Sequence, residues 1–392
     1  MDGGRARPYA PRQDSKRRIR RTDFGPVSGY DIRRRSGGNP YRLEAEMKLT
    51  SFLGVAGAGA LALAVTAASP AAAVEDIYKG RTVTVLVGYG PGGTYGQTSQ
   101  LLAKYLDKKI PGNPTIIVQH MTGAGGLKMT NYAYNVAPKN GMFLMMPPEM
   151  TLVSQLLRPD GVKYVTDKFT WLGTVFGANQ VMIIRRDVGI KSLDELKKRE
   201  LVVASTGTGS PTFLIPKMMN GIVGTKFKIV TGYTASAKTT LAVEQGEAHG
   251  MSNSWVSWQA NHARWFTGGD KSYAQVLAQI GFAKEKDLAN VPLLTELAGD
   301  KEDKAAAAML STASIIGRGF ALPPGAPNAV VEPLRAAFWA TVNDPTFKAD
   351  AHKRKLPVLP IRGAELQKMI GDTMKEMSPA AIVRAKKHIF GK

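Results

Sequence analysis

The sequence predicts an α/β fold of two lobes, each a sheet flanked by helices, joined by two hinge strands. Three observations predict it. Short β-branched runs alternate with helix-like runs, the pattern of a largely parallel sheet. That alternation occurs twice, and in each set a glycine-rich corner follows the first strand, at residues 88–94 and 205–212. Past an alanine-rich segment ending near Ala73, roughly 318 residues remain, a length that suits two domains better than one.

The first set places strands at 83–87, 115–118 and 142–146. A helix over 97–106 carries Leu101, Leu102, Tyr105 and Leu106 on one side, and Gly123-Ala124-Gly125-Gly126 leads into a helix through Ala137. The second set places strands at 201–204, 227–230 and 248–252, with a helix over 213–220. Residues 180–184 read as the outgoing crossover strand. Residues 314–322, before Pro323-Pro324-Gly325, read as the return. Each is followed by a helix, at 193–198 and 330–342. The tail, 365–390, is helical and is expected to pack on the first lobe. Lobe I is therefore 74–178 with 314–392, and lobe II is 179–313.

From Met47 the chain carries the parts of a secretion signal: Lys48, an apolar run over 52–65 and an A-x-A site at Ala71-Ala72-Ala73. The apolar run is short for a membrane span. The 46 residues before Met47 hold eleven Arg and one Lys against six acidic residues, with scattered Pro, Gly and Ser. The expectation is that translation starts at Met47 and that 1–46 is a non-native or disordered basic extension. The protein is then exported to the periplasm or secreted. Net charge is +21, but the basic clusters (Lys108-Lys109, Lys197-Lys198-Arg199, Lys353-Arg354-Lys355, Lys386-Lys387) lie far apart. They read as a solvated surface, and no nucleic-acid-binding motif accompanies them. Cysteine is absent, which excludes disulfides, thiolate metal sites, a cysteine nucleophile and a lipid-anchored cysteine.

The first corner invites a chemical reading. Gly88, Gly90 and Gly93 fit G-x-G-x-x-G by letter count, but the second strand ends in Gln119-His120, where a dinucleotide site needs an acidic residue. A Walker loop is absent. The nearest approach to a nucleophile elbow, Gly209-Ser210-Pro211, places Pro where an oxyanion-hole N–H is required. The five histidines stand singly, without ligand spacing. No catalytic residue, metal site or cofactor is expected.

What remains is an anion cradle made from both lobes. A strand, a tight turn and a helix start present unpaired N–H groups and a partial positive end, worth ~0.3–1 kcal/mol when exposed and up to ~2 when partly buried. Tyr89, Gly90, Gly92, Gly93 and Thr94 form the first corner. Ser205, Thr206, Thr208, Gly209 and Ser210 form the second, adding hydroxyls. Tyr233 and Ser236 lie on a loop that could cap a third helix toward the same place, and Asn253 lies just past a strand end. Glu149, after Pro147-Pro148, reads as a cleft-edge residue that orients a ligand hydroxyl or is solvated. Trp255, Trp258 and Trp265 read mainly as a packing stripe.

On these residues the chain resembles the Bug-like periplasmic solute-binding receptors of tripartite tricarboxylate transporters. The resemblance spans the chain after the signal segment. It rests on Pro91-Gly92-Gly93, Gly123–Gly126, the 205–210 corner, the 233–237 loop, the 291–296 stretch and Phe320-Ala321-Leu322-Pro323-Pro324-Gly325. It implies a type II-like periplasmic binding protein whose lobes close on a small carboxylate, held through backbone amides, hydroxyls and waters. The implied partner is a two-component transmembrane permease, and the receptor is expected to be a monomer without catalytic activity. Two departures matter. Gly96 stands where the family's P-G-G-x-x-D corner commonly has Asp, and His120-Met121-Thr122 stands where Asn-x-Pro is frequent. Loss of the acidic residue disfavours an amino-acid ligand and favours a di- or tricarboxylate. A sensor-type binding protein that signals to a kinase ectodomain is the runner-up, and a carboxylic-acid isomerase or lyase ranks below it.

Overall fold

The computed structural model describes residues 75–158 and 160–391. The basic extension (1–46) and the signal segment (47–73) lie outside the described residues. Among the described residues no helix is long and apolar enough to cross a membrane.

Among the described residues eleven strands form two mixed sheets, flanked by helices. In chain order they are β1 (Thr82–Val87), β2 (Thr115–His120), β3 (Phe143–Met146), β4 (Thr170–Thr174), β5 (Gln180–Arg185), β6 (Glu200–Ser205), β7 (Lys226–Thr231), β8 (Gly250–Ser254), β9 (Ala274–Ile280), β10 (Gly319–Leu322) and β11 (Ile361–Arg362). The first sheet has the order β11-β4-β10-β3-β1-β2, the second β7-β6-β8-β5-β9.

Both sheets follow one plan. Three parallel strands come first, β2-β1-β3 in one lobe and β7-β6-β8 in the other. An antiparallel crossing strand then lies beside the third, β10 against β3 and β5 against β8. A further antiparallel strand follows, β4 or β9. The sheets are thus less parallel than the sequence suggests. β4 and β9 carry no expectation from sequence, since each joins its sheet without the strand-corner-helix context that marks the parallel strands.

Burial follows the pattern of the strands. β3 and β10 are buried throughout because helices cover both faces, whereas β2, an edge strand, alternates between exposed and half-buried. On one face of the first sheet, Leu101 and Leu102 of helix Thr94–Leu106 pack with Leu334 and Phe338 of helix Asn328–Asn343. On the other, Leu127, Met129, Trp171, Leu366 and Ile370 form a second core. The second sheet is sandwiched in the same way, by Leu214, Met218 and Leu310 on one face and Val243, Trp255 and Trp258 on the other. The tryptophan run packs as a stripe, with Trp258 5.3 Å from Trp265 and 5.7 Å from Phe266 between ring centroids.

The C-terminal tail departs from expectation. Helix Gly363–Glu376 covers the first sheet through Leu366 and Ile370. The last helix, Pro379–Phe390, packs on the second lobe, where Ala385 and Ile389 join the core of Leu214 and Leu310. Arg384 Nε and His388 Nε2 meet Asp303 Oδ1 at 2.5 and 2.6 Å. The reason is the break at Met377-Ser378, after which Ser378 caps a separate helix free to take its own apolar partner.

Two crossing segments join the sheets, and they pair with each other. Val175 N donates to Arg318 O at 3.1 Å and Arg318 N to Phe176 O at 2.9 Å. Gly317 makes this pass possible. Its φ is +50°, and a Cβ there would sit 2.1 Å from Phe176 O.

Candidate functional site

The carboxyl ends of the parallel strands in both lobes point at the interlobe cleft, the usual ligand position in open α/β sheets. The cleft offers about 420 Å³ of empty space, the solvent at its mouth included. Its first-lobe lining is Tyr89, Gly90, Gly93, Thr94, Tyr95 and Glu149. The second lobe contributes Gln180, Thr206, Pro211, Thr212, Ser236, Ser252 and Asn253, and Arg318 closes the hinge end.

Three helices start at this cavity: Thr94–Leu106, Pro211–Ile222 and Ser236–Glu244. None has a capping side chain or an acidic residue in its first turn. The partial positive ends of these helices therefore face one small space without a carboxylate of their own, although Pro211 has no N–H to offer and Phe213 N and Lys238 N are bonded within their turns.

The lobes meet closely around it. Gly90 N donates to Thr234 O at 3.2 Å, and Gly209 N donates to Ala124 O at 3.2 Å. Thr94 Oγ1 and Ser257 Oγ are 2.7 Å apart, and Gln97 Nε2 donates to Asn261 Oδ1 at 2.9 Å. At Gly93 the approach is tight: a Cβ would fall 2.3 Å from Ser236 Oγ, which would have to turn away.

Of the residues that the sequence nominates, Tyr89, Gly90, Gly93, Thr94, Glu149, Thr206, Ser236 and Asn253 come together around the cavity. The rest lie elsewhere. Gly92 faces Ala237 across the lobe contact. Ser205 and Ser210 are fully buried and turn inward, sharing hydrogen bonds with Thr212 Oγ1 at 3.0 and 2.5 Å. Thr208 accepts a hydrogen bond from Arg158, and Gly209 is engaged with Ala124 and Leu127. Tyr233 reaches Glu247 at 3.5 Å. The second corner thus spends most of its hydroxyls on its own turn.

Glu149 is neither solvated nor at a cleft edge. It is 4% exposed and ion-paired with Arg318, which is 1% exposed. Arg318 Nη2 also donates to Thr94 Oγ1 at 2.8 Å and Ser254 Oγ at 3.0 Å, and the guanidinium lies 4.1 Å from the Tyr95 ring centroid. Tyr95 Oη accepts from Glu149 N at 2.7 Å. Burial pushes the Glu149 carboxyl above its ordinary value, with the Arg318 charge opposing. Burial also works against the Arg318 charge, but Glu149 outweighs it and holds the guanidinium above its ordinary value. Burial, reinforced by the Glu149 charge, raises both Tyr89 and Tyr95, so both keep their phenolic protons. The Glu149–Arg318 pair leaves the lining electrically neutral.

Sequence reasoning missed Arg318, Tyr95, Gln180 and Ser252 as lining residues. Arg318 gave no signal, because its side-chain partners stand 61 to 224 positions away. Gln180 did give one: a polar side chain opening a strand whose next four residues are apolar, QVMIIR. Among the described residues no group of His, Cys, Asp and Glu could hold a metal ion.

No family model matches the sequence. The chain is 22% identical over 284 residues to the UPF0065 protein in the tcbD-tcbE intergenic region of Pseudomonas sp. (strain P51), covering 70% of this chain and 78% of that one. Among solved structures it is similar to the periplasmic binding protein BugD, at 19% identity and TM-score 0.61, over 79% of this chain and 98% of that chain. It is similar also to MatC from Rhodopseudomonas palustris with bound malate, at 19% identity and TM-score 0.59, over 79% and 99%. With its two mixed sheets, paired crossings and interlobe cleft, the protein has the fold of the Bug- and TctC-type periplasmic binding proteins.

Proposed function

We propose that the protein is a periplasmic solute-binding receptor that takes a small organic carboxylate into the interlobe cleft, as a monomer and without a cofactor. The observation that carries this reading is the convergence of three uncapped helix starts, from both lobes, on one neutral cavity. A carboxylate there gains N–H donors and favourable dipole ends at once. Malate in the similarly folded MatC supports the ligand class. Binding shifts the lobes toward the closed arrangement, and the closed form delivers its load to a two-component permease of the tripartite tricarboxylate type. The role is non-catalytic: Glu149, the acid in the lining, is held by Arg318 and is not available as a general base.

Ligand that binds only the folded protein raises its melting temperature, by an amount equivalent to about 2.7 kcal/mol at a hundredfold excess over Kd. A thermal-shift screen over organic acids should find such a shift, with affinity confirmed by calorimetry. Turnover of an acid by the purified protein would replace the receptor with an enzyme.

A further inference from the structure

The second-lobe wall of the cavity carries hydrogen-bonding capacity that the protein leaves unused. Gln180 opens β5, is 0% exposed and lines the cavity, yet neither its Nε2 nor its Oε1 has a partner. Ser252, also fully buried and lining the cavity, has an unpartnered Oγ. The two belong together. Gln180 stands opposite Ser254 in the β5–β8 ladder, so Ser252 is its diagonal neighbour on the same face. Asn253 lines the same wall, its Oδ1 taken by Ser254 N at 2.9 Å.

Buried polar groups without partners are costly, and such groups in a ligand cavity define what the ligand must offer. A free amide donor and a free amide acceptor, side by side, ask for a group that both donates and accepts. A carboxylate offers acceptors alone, and its oxygens would oppose Gln180 Oε1. The charge of Arg318 is already balanced by Glu149, and its terminal nitrogens engage Glu149, Thr94, Ser254 and Ser257, which leaves its Nε alone without a partner. A second buried negative charge without a counter-charge of its own is strongly disfavoured.

We propose that Gln180 and Ser252 form a specificity subsite for an uncharged group that both donates and accepts hydrogen bonds, so that the ligand is a short monocarboxylate bearing a primary amide or hydroxyl at its far end. This rests on the carboxylate-receptor reading and narrows the di- or tricarboxylate that the sequence favours. The carboxylate is taken by the helix starts, the neutral end by the second-lobe wall.

The test is calorimetric titration of the purified protein at neutral pH with matched four-, five- and six-carbon acids. Each series comprises the dicarboxylate, its half-amide, the ω-hydroxy acid and the plain acid, for example glutarate, glutaramate, 5-hydroxypentanoate and pentanoate. The half-amide or hydroxy acid should bind at least tenfold tighter than the dicarboxylate and the plain acid. Gln180→Met, which keeps length and volume, should reduce that preference to within about threefold. Ser252→Ala, which removes a single atom, should reduce it in part and serves should Gln180→Met fail to fold. Tightest binding by the dicarboxylate, equal binding by half-amide and plain acid, or a preference that survives both substitutions would overturn the subsite. Failure of every acid in every series to bind would overturn the receptor reading itself.

Discussion

Strands β5 and β10 hold the same place in their sheets, each antiparallel to the third parallel strand and each reached from a crossing segment. Each brings a buried polar side chain to the cavity where it begins, Gln180 at the first residue of β5 and Arg318 just before β10. Their surroundings differ. The terminal nitrogens of Arg318 engage Glu149 and hydroxyls from both lobes, whereas the Gln180 amide engages nothing in the protein. The start of β10 is a structural lock, and the start of β5 is a surface kept open for recognition. Equivalent topology places a side chain without deciding its task; the partners supplied by distant segments decide that.

The sharpest way to break the contrast is Arg318→Met. It strands Glu149 as a buried, unpaired carboxylate, for an expected loss of about 3–5 kcal/mol in denaturant unfolding. Adding Glu149→Leu should restore most of that loss. A loss below about 1 kcal/mol for the single variant would show that the pair does not lock the fold.

Gly317→Ala comes next. The positive φ and the contact with Phe176 O oppose a Cβ, so destabilisation should exceed about 1 kcal/mol. An unchanged denaturation midpoint would mean that the crossings separate more easily than their pairing suggests.

A smaller effect distinguishes the two strand starts by pH. Glu149 has a raised carboxyl value in the folded protein, so the folded state holds this proton more readily than the unfolded chain. As pH rises from the unfolded value of about 4.3 toward the folded one, this group's contribution to stability falls, and above the folded value it is constant. Glu149→Gln should remove that slope from a series of urea midpoints, and parallel slopes in the two proteins would refute it. At the start of β5, Gln180→Met should leave stability without ligand within about 0.5 kcal/mol or raise it, because it removes a buried amide with no partner to lose.

Much of this architecture is written locally. The β-branched runs of β1 and β6, their glycine corners and the helices that follow are legible because strand period, turn residues and helix start sit within a few positions of each other. The cradle is therefore visible as Gly90–Thr94 and Thr206. Its chemistry is less so. Ser205 and Ser210 look like ligand hydroxyls in the sequence, but Thr212 draws them into the turn. Arg318 reads as one more cation in a basic chain, and only the fold brings it to Glu149, 169 positions away. The last helix joins the second lobe through Ala385 and Ile389, a choice between two apolar surfaces that a helical period cannot make.

The pairing of the two crossings has a mechanical meaning. Val175, Phe176 and Arg318 tie the connections together by main-chain bonds beside Gly317, so the joint behaves as one flat strap rather than two cords. A strap of this kind bends about the axis across its width and resists sliding along its length. On the closure proposed above, such a joint would return Gly90 to Thr234 and Gly209 to Ala124 in register. Those two contacts are main chain to main chain and do not depend on the identity of the side chains at their ends, unlike the Thr94–Ser257 contact beside the cavity.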